Sequence, residues 1–159
     1  MGLMIEVSVD KKQLTKIKRY MSDDRFKEVL RKVLIAAGLE LEDMIVTNID
    51  ERTSNTGRLG QSWTVKDISY DKIKVFTNLQ YAPFVEYGTR PHRPPYKPIL
   101  RWVQLKEKSR AKWTYRRAWA IWHSIAKKGT QEKRYLRDAV DKFSLSKWVD
   151  ELIRTWENV

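Results

Sequence analysis

The 159 residues include no cysteine, which excludes disulfides and thiolate metal sites. A hydrophobic content of 42%, with seven Trp and seven Tyr, is enough to build a core in one domain. The formal charge of +12 sits in one stretch: residues 90–134 hold 14 Lys/Arg against Glu107 and Glu132, while the rest of the chain balances 18 basic against 18 acidic residues. Such a stretch suits a polyanion, an acidic protein partner or a solvated surface. No apolar run reaches the roughly 18 residues that a membrane-spanning helix needs. The first nine residues alternate polar and apolar without a basic flank, so no signal peptide is expected, and assembly in a cytoplasm is compatible with the absence of cysteine.

Leu3, Ile5, Val7 and Val9 alternate with Met4, Glu6, Ser8 and Asp10, which predicts a strand with one buried face. Leu14, Ile17 and Met21 predict a short helix within 11–21. Ser22 and Asp23 are suited to cap a long helix running to about Asp50, with Phe26, Leu30, Val33, Leu34, Ala37, Leu41, Met44 and Ile45 on one face. Gly38 in its middle suggests close packing. A turn cluster at 53–57 precedes two expected strands, 62–66 and 72–77, joined by a turn at 67–71. A third strand is expected at 81–87, starting after Pro83 or lying at an edge.

A loop with three prolines follows at 88–97, and Pro98 suits the first turn of a helix to about Lys106. A basic linker leads to a helix whose buried face would be Tyr115, Ala118, Trp119, Trp122, Ile125 and Ala126, closed by Gly129. Leu136, Ala139, Val140 and Phe143 suggest one more short helix. Ser146 is the expected cap of the last, with Val149, Leu152, Ile153 and Trp156 on one stripe. The order predicts an α+β fold: a small antiparallel sheet of three or four strands packed on one long amphipathic helix, with additional C-terminal helices. It is expected to be a single domain over 1–159.

A search for chemistry is mostly negative. There is no thiol nucleophile, no HExxH, no phosphate-cradling glycine loop and no serine elbow around Ser62. His123, beside Trp122, reads as a helix-face histidine. His92 lies between Arg90 and Arg93, with Glu86 the one acid near it. A metal-dependent nuclease needs several carboxylates gathered around an ion, whereas the acids here are spread along the helices. No catalytic residue, metal or cofactor is expected. Tyr81, Phe84, Tyr87 and Tyr96 lie near the basic loop, where they could stack on bases, fill a buried face or enter a protein interface.

Two segments carry a resemblance. The first is Thr56-Gly57-Arg58-Leu59-Gly60-Gln61-Ser62. The second is Tyr81-Ala82-Pro83-Phe84-Val85-Glu86-Tyr87-Gly88-Thr89-Arg90-Pro91-His92. With the long helix before them, they resemble the HK97-type tail-completion (head–tail joining, or neck) proteins of long-tailed phages. Gly129-Thr130 and Tyr135-Leu136-Arg137-Asp138-Ala139-Val140 are similar to the closing helix of that family. The motif-bearing core is then 22–92 plus 129–140, with a helical insertion at 93–128 and a C-terminal extension at 144–159.

The resemblance implies a non-enzymatic virion protein, assembled in the bacterial host, that forms or docks on a ring at the neck. Its implied partners are copies of itself and neighbouring neck, connector or tail-tube proteins. Tyr81, Glu86, Tyr87, Gly88, Thr89, Arg90, His92 and Arg93 are the expected interface, and Glu86 would pair with an arginine of its own or the next subunit. Lys97, Arg101, Lys106, Lys108, Arg110, Lys112, Arg116 and Arg117 would meet passing DNA, without reading its sequence, or an acidic partner. A stand-alone basic nucleic-acid-binding protein is the alternative reading.

Overall fold

The computed structural model describes residues 2–53 and 57–157. Strand β1 (Leu3–Ser8) leads through the Asp10 cap into α1 (Lys11–Ile17), which a single 3-10 turn extends to Tyr20. Asp10 accepts from the Gln13 amide at 2.7 Å while the Gln13 side chain accepts from the Asp10 amide at 3.0 Å, a reciprocal pair that satisfies two otherwise free donors. Asp23 caps α2 (Asp24–Arg52) by accepting from Arg25 N at 2.8 Å. At 29 residues, α2 is about 43 Å long at the helical rise of about 1.5 Å per residue.

Strands β2 (Trp63–Ser69) and β3 (Lys72–Thr77) form a hairpin, and the sheet order is β1-β3-β2 with both pairings antiparallel. The register places Leu3, Ile5 and Val7 opposite Thr77, Val75 and Ile73, and these opposite Trp63, Val65 and Asp67. All nine therefore share one face, which α2 covers with Leu30, Leu34, Ala37, Leu41 and Ile45. The helix comes closest at Gly38, where an added Cβ would stand 2.3 Å from Ile73 Cδ1. The opposite face, with Met4, Lys66 and Ile68, is turned to solvent.

Three helices follow that join the body: α3 (Ala82–Tyr87), α6 (Tyr135–Lys142) and α7 (Leu145–Glu157). Between α3 and α6 lie α4 (Tyr96–Lys106) and α5 (Lys112–Lys128), which pack chiefly on each other. Their buried residues, Val103, Thr114 and Ala118, stand outside the main core cluster. The pair is a helical arm on the body.

The fold class expected from the sequence is borne out, with four local corrections. Residues 81–87 form a helix, not a strand: Tyr81 closes the turn, Pro83 stands at the second helical position where its missing N–H costs nothing, and buried Ala82 and Glu86 lie one helical turn apart. The sheet has three strands because β1 supplies the third. On α5, Tyr115 and Trp119 are 49% and 57% exposed, while Thr114 and Ala118 make the buried contact. The β2–β3 turn is shorter than 67–71, as β2 runs to Ser69. The last helix starts at Leu145, so Ser146 lies inside its first turn rather than capping it. Most of the turn cluster at 53–57 falls on 54–56, outside the described residues.

Leu34 is fully buried between α2 and the sheet. Leu34→Ala should cost about 2–5 kcal/mol in urea denaturation. Leu34→Asp puts an unpaired charge in the same place and should abolish cooperative folding; a native thermal transition from that variant, followed by circular dichroism, would contradict this packing.

Candidate functional site

The residues of the second motif occupy α3 and the turn after it, and their first role is to hold the chain together. Glu86 is fully buried. Its Oε2 accepts from Leu136 N at 2.8 Å, and its Oε1 accepts from Arg137 N at 3.0 Å and Arg137 Nε at 3.1 Å. Helix α6 has no cap of its own: the residue before it, Arg134, has left-handed backbone (φ 50°) and its side chain makes no capping bond. Glu86 fills that place from another helix, its negative charge meeting the free N–H groups and the positive end of the helix dipole. Arg137 extends the tie to Glu132 at 2.6 Å and lies 5.1 Å over the Tyr87 ring. That guanidinium holds the Glu132 carboxyl below the usual range.

The C-terminal end of α2 reaches the same place. Arg52 Nη1 donates to the Lys133 and Arg134 carbonyls at 3.0 Å each and to Asp138 Oδ2 at 2.7 Å. Its bond and charge keep the Asp138 carboxyl low. Asn48 Nδ2 donates to Tyr135 O at 2.9 Å. Tyr135 is buried against Trp63, their ring centroids 6.2 Å apart, and its hydroxyl donates to Ala82 O at 3.1 Å. Burial pushes that phenol well above its ordinary pKa.

Gly88-Thr89 and Gly129-Thr130 form a clasp at the base of the arm. Thr89 N donates to Thr130 O at 3.1 Å, Thr130 N donates to Thr89 O at 3.2 Å, and the two hydroxyls are 3.0 Å apart. Both glycines have left-handed backbone, φ 70° and 74°. A Cβ on Gly88 would lie 2.3 Å from Thr130 O, and one on Gly129 would lie 1.8 Å from Thr89 O. The two strands cross only because neither residue has a side chain there.

Beside the clasp lies an apolar groove of about 630 Å³, bounded by Phe84, Val85, Pro91, Ile99 and Ile125. Four of the expected interface residues, Tyr81, Thr89, Arg90 and His92, line it. His92 Nδ1 lies 3.0 Å from Arg90 O and 3.3 Å from Thr89 Oγ1. Arg93 is exposed on the same loop, and Tyr87, 55% exposed, faces outward over Arg137. Glu86 is buried and pairs with Arg137 of its own chain, and Gly88 is half-buried in the clasp.

The expected basic contacts all lie on the arm. Lys97, Arg101, Lys106, Lys108, Arg110, Lys112, Arg116 and Arg117 are exposed, and Arg117 pairs with Glu107 at 2.8 Å. Arg101, Lys108 and Arg110 surround a concavity of about 440 Å³ at the arm tip, with Leu105, 62% exposed, on its wall. Trp119 stacks on His123 with ring centroids 5.0 Å apart. Sequence reasoning missed the tip concavity, although Arg101 and Leu105 one turn apart, facing a short Lys108-Ser109-Arg110 linker, were its signal. Among the described residues, no group of three or more His, Asp or Glu side chains is placed to hold a metal, and no helix is long and apolar enough to cross a membrane.

The fold and site define a small α+β protein built on one long helix, whose motif serves internal ties and leaves a basic arm and an apolar groove facing out. Residues 11–88 match the family model described as "Bacteriophage HK97-gp10, putative tail-component", so that segment is similar to this family of phage tail components. The resemblance read from the motifs is thus borne out. No curated protein and no solved structure matches the chain. The matched segment runs from the start of α1 to Gly88, at the clasp, and the arm, α6 and α7 lie beyond it.

Two outcomes are expected. Glu86→Ala strands two amide donors and Arg137, and should cost about 2–4 kcal/mol in urea, with the Leu136 and Arg137 amides the first to lose hydrogen-exchange protection. Replacing residues 90–129 by Asn-Gly should close a two-residue hairpin between Thr89 and Thr130 and leave the body's cooperative unfolding intact. Loss of folding in that deletion would show that the arm is integral to the core.

Proposed function

We propose that this protein is a structural virion component that completes the tail at the head–tail junction, assembling with copies of itself into a ring and docking on neighbouring neck, connector or tail-tube proteins. The match of residues 11–88 to a phage tail-component family supports a structural role in the virion. The observation that carries the finer reading is the division of labour in the motif. Ala82, Glu86 and Gly88 act within the chain, while Tyr81, Phe84 and Arg90 beside them are exposed around an apolar groove and Tyr87 is exposed over Arg137. Aromatic and arginine side chains of this kind are the residues that anchor protein interfaces. The motif builds a surface and positions no reacting group.

A second reading has its own observation: the arm holds most of the net charge and exposes Trp113, Tyr115 and Trp119. Such a surface suits a nucleic-acid backbone. A passage for DNA must release what it touches, which favours protein partners for the tight contacts and leaves DNA a sequence-independent one.

The reading is tested by sedimentation velocity and negative-stain microscopy of the protein alone and with the products of its flanking genes. Rings, or a ring docked on a partner, are expected. Arg90→Glu with Arg93→Glu should leave the fold unchanged by circular dichroism and reduce assembly at least tenfold, an estimate from the effect of reversing interface charges. Normal particle yield from the double variant, or a monomer that binds duplex DNA steeply with falling salt and never enters a particle, would overturn it.

A further inference from the structure

The rest of the chain, though neutral in sum, is not uniform. Residues 33–51 contain no Lys or Arg, and from Glu40 onward they carry Glu40, Glu42, Asp43, Asp50 and Glu51. Their helix is α2, whose inner face is fixed on the sheet, so its outward stripe is set by the remaining positions. Leu39, Asp43, Thr47 and Asp50 stand on that stripe at helical spacing, all exposed, Leu39 at 52%. Asp43 and Asp50 are two turns apart, about 10 Å along the axis at a rise of about 1.5 Å per residue. Glu42, Asp43, Asp50 and Glu51 form no ion pair among the described residues. The carboxyl of Glu42 is held above its ordinary range by partial burial first and by the neighbouring Asp43 second.

The arm tip has the opposite character. Arg101, Lys108 and Arg110 ring a concavity with the exposed Leu105 on its wall, and these three cations form no ion pair among the described residues. Lys108 sits at the turn itself, where its backbone is left-handed (φ 47°). An exposed leucine among cations on one surface thus matches an exposed leucine followed by two turns of acids on another. No ion pair among the described residues joins the two within one chain.

We infer that the arm tip of one copy docks on the outer stripe of α2 of the next, with Leu39 against Leu105 and Asp43 and Asp50 against Arg101, Lys108 and Arg110. The two surfaces are different, so the contact is heterologous and passes from copy to copy until a ring closes. It deepens the ring reading of the previous section, on which it rests, by naming the pair of faces. Opposite charges here set register and exclude a tip-to-tip contact, which would place six cations together.

The test uses two full-length double variants. One reverses the arm (Arg101→Glu with Arg110→Glu) and the other reverses the body (Asp43→Lys with Asp50→Lys). All four residues are exposed, so both should match the wild type in circular dichroism and thermal midpoint. Each alone should need at least about tenfold more protein to assemble, as expected when close interface charges are made repulsive. A mixture of the two should recover wild-type assembly, because each reversed tip then meets a reversed stripe. Assembly of either variant at wild-type concentration overturns the inference while leaving the ring reading standing. So does failure of the mixture when both variants are folded. If the arm-reversed variant assembles normally and loses only retention of duplex DNA, the arm serves nucleic acid and the inference is wrong. A wild-type protein that neither self-associates nor enters particles sinks the ring reading, and the inference with it.

Discussion

The structure turns on one buried carboxylate. Helix α6 is eight residues long and begins inside the protein, where water cannot satisfy its first amides, and its own preceding residue provides no cap. A short helix with uncapped, desolvated donors does not persist on propensity alone. Glu86 supplies the acceptor and the negative charge from α3, and Arg137 keeps that charge paired. Because Glu86 is reached through a six-residue helix ending at Gly88, fixing the carboxylate also fixes where the chain leaves the body. Lys133 and Arg134 bond to the carbonyls at the end of α3, Gly129 and Thr130 lie against Gly88 and Thr89, and the arm departs from that crossing. Arg52 and Asn48 bring the end of α2 to the same strand. Three segments distant in sequence therefore meet at a few polar contacts, of which the buried ones, from Glu86 and Asn48, satisfy groups that burial would otherwise penalise.

How much of this was legible follows the strength of each local signal. Helix α2 was plain because eight apolar residues repeat at helical spacing over more than five turns after an Asp cap. β1 and the hairpin were plain because alternation and pairing register agree. The segment at 81–87 was misread because Val85 and Tyr87 alternate over too few residues to separate period two from 3.6. The decisive signal was Pro83, which suits the first turn of a helix better than a strand edge, together with Ala82 and Glu86 at i and i+4. On α5 the expected stripe failed for a tertiary reason. A two-helix arm buries only one narrow seam, so Thr114 and Ala118 suffice to fill it, and the large aromatics at Tyr115 and Trp119 are left outside. Composition could not reveal that the helix has a single partner.

The site was legible as a motif but not as a mechanism. Glu86 was expected to pair with some arginine, of its own or the next subunit, yet identifying it as Arg137 needs the position of α6, which depends on the αL turn at Arg134 and the crossing at Gly129. The clasp does have a sequence trace, since Gly-Thr occurs at 88–89 and again at 129–130. Two identical dipeptides bracketing a helical hairpin are what a symmetric, hydrogen-bonded pinch between two chain segments requires, each glycine making room for the other segment's carbonyl.

The same geometry separates scaffold from surface. The family match ends at Gly88, where the chain enters the clasp, and the segment that concentrates the positive charge begins at Arg90. A hairpin joined at its base by paired threonines, with its small seam outside the main core, is expected to tolerate changes in length, charge and aromatic content while the Glu86–α6 contact stays in place. A scaffold defined by internal ties, carrying an appendage that is nearly independent of them, is a physical arrangement in which contacts can be specialised at little cost in folding stability. By that argument the family motif explains how the chain is built, and the arm and the exposed stripe of α2 are the surfaces left free for the contacts we propose.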